Sequence, residues 1–100
     1  MIVSGGENVF PREVEDLLHD HTDIEEVAVA GVPDADFGQR LMAWVVVRAG
    51  SEVDEGTLKA YVRANLASYK VPRAFVFLPE LPRNATGKVL KRELVDDTAG

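Results

Sequence analysis

The middle of the chain reads Leu41-Met42-Ala43-Trp44-Val45-Val46-Val47, an unbroken apolar run that is rich in valine. Successive side chains of a β-strand point to opposite faces, so a strand without polar positions must be covered on both faces. β-Branched and aromatic residues also favour strands. The run therefore predicts a central strand with other elements packed on either side of it.

Two elements are predicted upstream of this run. Pro11 suits the first helical position, and the apolar stripe that follows predicts a helix from about Pro11 to His19. Residues 24–32 then alternate acidic and β-branched side chains, which predicts a second strand, with a turn forced by Pro33-Asp34. Before the helix, Ser4-Gly5-Gly6 is expected to form a flexible loop.

Downstream, Asp54 can cap a helix. One face of that helix is apolar and is formed by Leu58, Tyr61, Val62 and Leu66. Lys59 and Arg63 form an outward like-charge pair that indicates either an anionic neighbour or a solvated face. A short strand is predicted at 74–78, an extended loop at 79–86 and a closing helix at 89–95.

These elements make a single domain over residues 1–100, which is too short for a nucleotide-binding domain plus a substrate domain. The predicted class is α+β, a small sheet of about three main strands with packed helices. Cysteine is absent, which excludes disulfides, thiolate metal sites and cysteine nucleophiles. No apolar run approaches the roughly 20 residues of a membrane span. We expect a cytoplasmic protein.

The charge is divided along the chain. Residues 1–58 hold 3 basic and 13 acidic side chains, whereas residues 59–92 hold 8 basic and 1 acidic. The net charge of −6 argues against nucleic acid as a partner, and the basic second half is where an anionic ligand is expected to bind. His19 and His21 lie at the end of a predicted helix, where interaction with the helix dipole is favoured over metal binding, and no metal site is predicted.

The strongest candidate for chemistry is Lys88, which follows Gly87 in a polar stretch that opens a basic cluster. A phosphate-binding P-loop requires a glycine where the chain has Pro82 and a hydroxyl residue where it has Val89, so this class of site is excluded. The remaining function is a mobile ammonium that stabilises negative charge on a transferring phosphoryl or acyl group. A solvated loop lysine is the alternative.

Four segments in order resemble the C-terminal domain of the adenylate-forming enzymes, the superfamily of acyl-CoA synthetases, peptide-synthetase adenylation domains and luciferases. The segments are Ser4–Glu15, Val32–Gln39, Leu66–Pro72 and Pro82–Leu94. Gln39 stands where many members have glutamate. The first segment has the form found in acyl-CoA ligases. The resemblance spans nearly the whole chain.

The resemblance implies a lid that rotates against a large N-terminal adenylation domain. Such ligases join a carboxylate to ATP to form an acyl-adenylate, and coenzyme A then displaces AMP to give a thioester. ATP and coenzyme A are the implied co-substrates, with Mg²⁺ bound to ATP in the large domain. The family's hinge and ribose-binding signature would lie before Met1, so we expect an excised or separately expressed domain that is inactive alone.

Residue by residue, Lys88 matches the adenylation lysine, and Gly87 is assigned to the same site. The resemblance places Gly5, Gly6 and Glu7 in the tunnel for the pantetheine arm of coenzyme A. Two basic residues are candidate contacts for coenzyme A phosphates, namely Lys70 and Arg73. The alternatives are the lid of a peptide-synthetase adenylation domain, a stand-alone module that binds coenzyme A or a nucleotide, and a structural domain.

Overall fold

The computed structural model describes residues 1–99, which form one five-stranded sheet and three helices. The elements in chain order are β1 (Ile2–Ser4), β2 (Glu7–Val9), α1 (Pro11–His19), β3 (Ile24–Asp34), β4 (Gly38–Val47), α2 (Glu55–Asn65), β5 (Ala74–Phe77) and α3 (Lys91–Ala99). A 3₁₀ turn at Ser68–Lys70 precedes β5. Within this described part of the chain, no helix is both long and apolar enough to cross a bilayer.

Strand β4 is the centre of the sheet, as the apolar run predicts. It pairs antiparallel with β3 along its length and parallel with β5 over residues 42–45. Strand β1 joins it at the Gly38 end and carries β2 on its outer side, in the order β2-β1-β4-β3. The predicted α+β class and its three longer strands are confirmed.

Each face of β4 is covered by its own apolar cluster. The first cluster packs α1 and α2 against the sheet and contains Ile2, Val9, Val14, Leu18, Ile24, Val27, Val29, Leu41, Ala43, Val45, Leu58, Val62 and Phe75. The second cluster packs α3 and the segment before it on the other face and contains Ala28, Val32, Met42, Trp44, Val46, Leu81 and Leu94. The odd and even residues of β4 therefore serve different cores, which explains why the run has no polar position.

The two longer predicted helices are confirmed. Helix α1 begins at Pro11, and its Val14 and Leu18 are fully buried. Helix α2 is capped by Asp54, whose carboxylate accepts a hydrogen bond of 2.8 Å from the Thr57 amide. That bond is also the main cause of the lowered pKa of Asp54, as expected for a carboxylate at a helix N-terminus.

The predicted turn at Pro33-Asp34 was wrong in position. Both residues belong to β3, and the turn follows at residues 35–37. Pro33 is tolerated because β3 is an outer strand, where a missing N–H breaks no ladder bond. Asp34 directs the turn itself, since its Oδ1 accepts hydrogen bonds of 3.0 Å from the amides of Asp36 and Phe37.

The two ends of the chain also differ from the prediction. Residues 4–6 do not form a flexible loop, because Gly5-Gly6 is the two-residue turn of a tight β1–β2 hairpin. Helix α3 begins at Lys91 rather than Val89, because Val89 is held in a bridge with Arg83, and the helix continues beyond Val95.

Two outer strands each have a central amide bonded by a glutamate from a helix. The Val29 amide of β3 donates to Glu15 Oε2 at 2.8 Å, and the Phe75 amide of β5 donates to Glu55 Oε2 at 2.8 Å. The amide of Phe75 is the main cause of the lowered pKa of Glu55. These backbone donors are therefore satisfied although no further strand pairs with them.

Candidate functional site

Lys88 lies in a tight turn organised by the side chain of Asn84. The amide oxygen of Asn84 accepts hydrogen bonds from the Thr86 amide at 3.0 Å, the Thr86 hydroxyl at 2.7 Å and the Lys88 amide at 3.0 Å. The Gly87 amide donates to the Asn84 carbonyl at 3.0 Å. Gly87 has a φ of +85°, a conformation that glycine adopts at little cost. Asparagine, threonine and glycine therefore each have a defined role in the turn.

The ends of this turn are joined by backbone pairing. The Asn84 amide donates to the Lys88 carbonyl at 3.0 Å, and Arg83 and Val89 form an antiparallel bridge. The extended loop predicted at 79–86 therefore differs from the structure at its C-terminal end, where the chain forms a small hairpin. The Lys88 backbone is hydrogen-bonded at both its amide and its carbonyl, while its side chain is exposed.

The Lys88 side chain is exposed. Within residues 1–99 its ammonium has no carboxylate within 4.0 Å. It borders a shallow depression that continues to Lys91 and Arg92 at the start of α3. The positive charge is therefore available to an anion presented from outside the domain.

A second candidate surface surrounds the Gly5-Gly6 turn. Both glycines have positive φ, at +57° and +86°. The Gly5 amide donates to the Phe37 carbonyl at 3.1 Å, which docks the hairpin on the β3–β4 turn. A Cβ atom on Gly5 would lie 2.5 Å from the Phe37 ring. Gly5 is therefore required both for its backbone conformation and for the close approach of Phe37.

The turn borders a cavity of about 200 Å³ formed by three separate segments. Its lining residues are Ser4, Gly5, Glu7, Phe37, Arg40, Leu41, Ser68, Tyr69 and Val71. The Phe37 and Tyr69 rings are 42% and 46% exposed, which is high for aromatic side chains. Gly5 and Glu7 therefore line this cavity together with two exposed aromatic residues.

A cavity of about 290 Å³ adjoins the first, since both include Arg40, Ser68 and Val71. Four cationic side chains line it, and we call them the basic groove: Arg40, Lys59, Arg63 and Arg73. Arg73 pairs with Asp34, and Lys59 Nζ lies 3.4 Å from Glu55. Two carboxylates balance only part of this charge, so the groove favours an anion.

The charge of the basic groove affects Asp34. Although desolvation opposes it, the amides of Phe37 and Asp36 and the charges of Arg73 and Arg40 hold the pKa of Asp34 below its ordinary value. Arg40 also stacks on the Phe37 ring, with the guanidinium 4.1 Å from the ring centroid. Within the described residues Arg63 has no carboxylate partner.

Lys70 is placed differently from the other candidates. Its ammonium donates to both carboxylate oxygens of Glu13, at 2.8 and 3.1 Å, and it lines neither cavity. These bonds raise the pKa of Lys70. The structure thus brings Arg73 into the groove and directs Lys70 toward α1.

Sequence reasoning did not identify Arg40 as a site residue, and it noted Arg63 only through its like-charge spacing from Lys59. Three elements that are distant in the chain bring these side chains together, namely the start of β4, α2 and the segment before β5. No local pattern carries that information. His19 and His21 belong to no group of three or more potential metal ligands among residues 1–99.

The two candidate surfaces adjoin different apolar clusters. The segment that carries Lys88 is anchored by Leu81 and Leu94 in the second apolar cluster. The basic groove and the Gly5-Gly6 turn adjoin α2 and β1, which pack in the first cluster. The two surfaces are therefore built on separate cores.

The chain is similar to a large set of known enzymes. The family model described as AMP-binding enzyme C-terminal domain matches residues 13–88. A long-chain-fatty-acid–CoA ligase of Bacillus subtilis is 46% identical over 97% of the chain, and a 2-succinylbenzoate–CoA ligase of Geobacillus kaustophilus is 50% identical over 94%. The chain spans 17% and 19% of their respective lengths. The crystal structure of ATP-bound MatB from Rhodopseudomonas palustris superposes on 99% of the chain with a TM-score of 0.94 and 36% identity, and the chain covers 20% of it.

Proposed function

The chain belongs to the family of AMP-binding enzyme C-terminal domains, and from this we propose that it is the rotating lid of an ATP-dependent acyl-CoA ligase. A large N-terminal domain supplies the nucleotide and acyl pockets in this proposal, with Mg²⁺ bound to ATP there. The lid supplies Lys88 to one half-reaction and the basic groove to the other. The isolated chain is expected to be inactive.

The main support is that the two surfaces adjoin different apolar clusters, one on each face of the sheet. A two-step ligase needs different groups at its active site in each step. A lid that rotates between the steps can present one face and then the other. The compact single sheet suits this role, since it lets both surfaces move as one body.

In the first half-reaction, a carboxylate oxygen of the substrate attacks the α-phosphorus of ATP and pyrophosphate leaves. We assign Lys88 to the contact with both the carboxylate and the α-phosphate, where its charge orients the attack and stabilises the transition state. The rigid Asn84 turn supports this assignment because it fixes the lysine backbone. Contact with the large domain would exclude water from the exposed ammonium and strengthen its effect. Gly87 has no side chain and so permits the close approach of the large domain to Lys88.

In the second half-reaction, the thiol of coenzyme A attacks the acyl carbon and AMP leaves. We assign the pantetheine arm to the surface at Gly5, Gly6 and Glu7. The phosphates would bind Arg40, Arg63 and Arg73 of the basic groove, and an exposed aromatic ring can stack on the adenine. Lys70 would have to leave Glu13 to reach a phosphate, so Arg40 and Arg63 are better placed.

The proposal differs from a peptide-synthetase lid in the thiol that accepts the acyl group. That thiol belongs to coenzyme A in an acyl-CoA ligase and to a carrier protein in a peptide synthetase. Both relatives described above are named as CoA ligases, which favours coenzyme A over a carrier protein. A cytoplasmic location stays a prediction. A stand-alone module would instead bind coenzyme A saturably without any large domain, and titration of the isolated chain would detect it.

The decisive experiment joins the chain to its large domain and measures ATP–pyrophosphate exchange. Lys88→Ala is expected to slow exchange at least about a hundredfold, equivalent to roughly 2.7 kcal/mol of transition-state stabilisation. Thioester formation from preformed acyl-adenylate should be retained. Arg12→Ala, which removes an exposed cation elsewhere, is the matched control. Unchanged exchange in Lys88→Ala would refute the assignment.

A further inference from the structure

The Lys88 turn is connected to the sheet by a neighbouring arginine. Arg83 Nη1 donates to the Gly87 carbonyl at 2.6 Å, and Nη2 forms an ion pair with Glu26 on β3. The Gly87 carbonyl belongs to the peptide that leads directly into Lys88. One guanidinium therefore links the peptide before the lysine to a strand of the sheet.

A β-bulge explains why Glu26 faces this turn. The register between β3 and β4 shifts between Ile24 and Glu26, which leaves Glu25 as an extra residue. Ile24 is buried in the first apolar cluster, whereas Glu26 follows the alternation of Ala28, which packs in the second. In a regular strand, residues 24 and 26 would share a face. The bulge keeps Ile24 in one core and directs Glu26 to the opposite face.

The exposure of the pair argues against a mainly stabilising role. The Arg83 and Glu26 side chains are 42% and 29% exposed, and ion pairs with this exposure contribute little to folding free energy. Geometry is what the pair contributes. A planar guanidinium bonded to two acceptors has few alternative orientations, so the Gly87 peptide is restrained relative to β3.

We propose that Glu26 and Arg83 are positioning residues for adenylation. They hold Lys88 in the position and orientation, relative to the sheet, that the first half-reaction requires. This inference rests on the proposed function of Lys88. Glu26 acts only through Arg83 and touches no substrate. Because a displacement of about 1 Å can cost up to about a hundredfold in rate, loss of this link is expected to slow adenylation without affecting the groove on the other face.

The first test uses the 100-residue chain and does not depend on activity. Backbone ¹⁵N relaxation is measured for Glu26→Gln and for Glu25→Gln, a matched loss of charge at the adjacent exposed position. Glu26→Gln is expected to lower the order parameters of the Gly87 and Lys88 amides selectively. Glu25→Gln is expected to leave them unchanged. Equal order parameters in the two variants would overturn the proposal.

The second test uses the complete ligase and separates the two half-reactions. Glu26→Gln and Arg83→Met are each expected to slow ATP–pyrophosphate exchange about tenfold, with thioester formation from acyl-adenylate changed less than about twofold. In the double variant, Glu26→Gln should add nothing to Arg83→Met, since it acts through that side chain. Equal losses in both half-reactions, or full additivity, would overturn the positioning role.

Lys88→Ala, measured in parallel, separates the positioning role from the proposed function. If Lys88→Ala slows exchange and the Glu26 and Arg83 variants do not, the proposed function stands and the positioning role fails. If Lys88→Ala itself leaves exchange unchanged, the function of Lys88 fails, and the positioning role fails with it.

Discussion

Replacement of Gly5 by alanine should reveal how closely the hairpin turn is fitted to Phe37. The φ of +57° at this position costs an alanine about 1–2 kcal/mol. The new Cβ would lie 2.5 Å from Cδ2 and 2.9 Å from Cε2 of Phe37, so the ring must move. Its movement breaks the stack with Arg40, which contributes about 0.5–1 kcal/mol at an exposed site. The sum is roughly 1.5–3 kcal/mol.

Gly6→Ala is the matched control for this change. Gly6 also has a positive φ, of +86°, but no atom lies within 4 Å of the position that its new Cβ would take. It should therefore suffer only the backbone cost of about 1–2 kcal/mol. The contribution of Phe37 is the difference between the two variants, about 0.5–1 kcal/mol.

Urea denaturation of the 100-residue chain can measure this difference, with the buried Trp44 as the fluorescent probe. Thermal unfolding should show it as well, because 1 kcal/mol corresponds to a shift in Tm of about 4–8 °C for a domain of this size. Equal destabilisation by Gly5→Ala and Gly6→Ala would refute the role assigned to Phe37. In the complete ligase, the displaced ring should raise the KM for coenzyme A while ATP–pyrophosphate exchange is retained. An equal effect on both half-reactions would contradict the placement of the hairpin in the second.

Three further predictions concern the groove, the core and the sheet edge. Arg63→Ala should raise the KM for coenzyme A about tenfold or more through loss of a charge-assisted bond, with exchange unchanged and Arg12→Ala as the control. Leu58→Ala, at a fully buried position of α2, should lower the free energy of unfolding by about 2–5 kcal/mol in urea denaturation; a smaller loss would mean that the core collapses around the cavity. The pKa of Glu55 is lowered by the Phe75 amide. The contribution of the Glu55 carboxylate to folding stability should therefore be complete above the ordinary glutamate pKa of about 4.3. It should be lost as the pH falls through the lower pKa of the folded state. Glu55→Gln should flatten the acid limb of a stability–pH curve, and an unchanged limb would refute that linkage.

Strand β4 and helices α1 and α2 could be predicted from the sequence because their evidence is local. An apolar run, a proline at a helix start and an aspartate cap each act within a few residues, and the structure confirms all three. The β1–β2 hairpin was missed because it carries no such local pattern. Its strands have three residues each, too short for a periodic pattern, and two adjacent glycines resemble a flexible linker unless the docking of Gly5 on Phe37 is known.

The candidate site could be predicted only in part. The sequence motifs predict roles for Lys88, Gly5 and Glu7, and in the structure Gly5 and Glu7 line one cavity. The basic groove depends on the packing of α2 against the start of β4 and the segment before β5, which no spacing in the chain reveals. The charge and position of Lys70 predict a contact with coenzyme A phosphates, but they do not reveal that Glu13, 57 residues away in the chain, binds its ammonium.

The glutamates that bond the Val29 and Phe75 amides also bear on how the domain behaves while it is detached from a partner. In the proposed function, rotation leaves the sheet edges of the domain uncovered for part of the time, and an uncovered edge can recruit a strand from another copy of the chain. Glu15 and Glu55 already occupy the central donors of those edges, and each is accompanied by a lysine, Lys91 at 2.7 Å and Lys59 at 3.4 Å. An incoming strand would have to displace a charged pair before it could form a ladder. The same few side chains that satisfy the outer strands would therefore also protect them from aggregation.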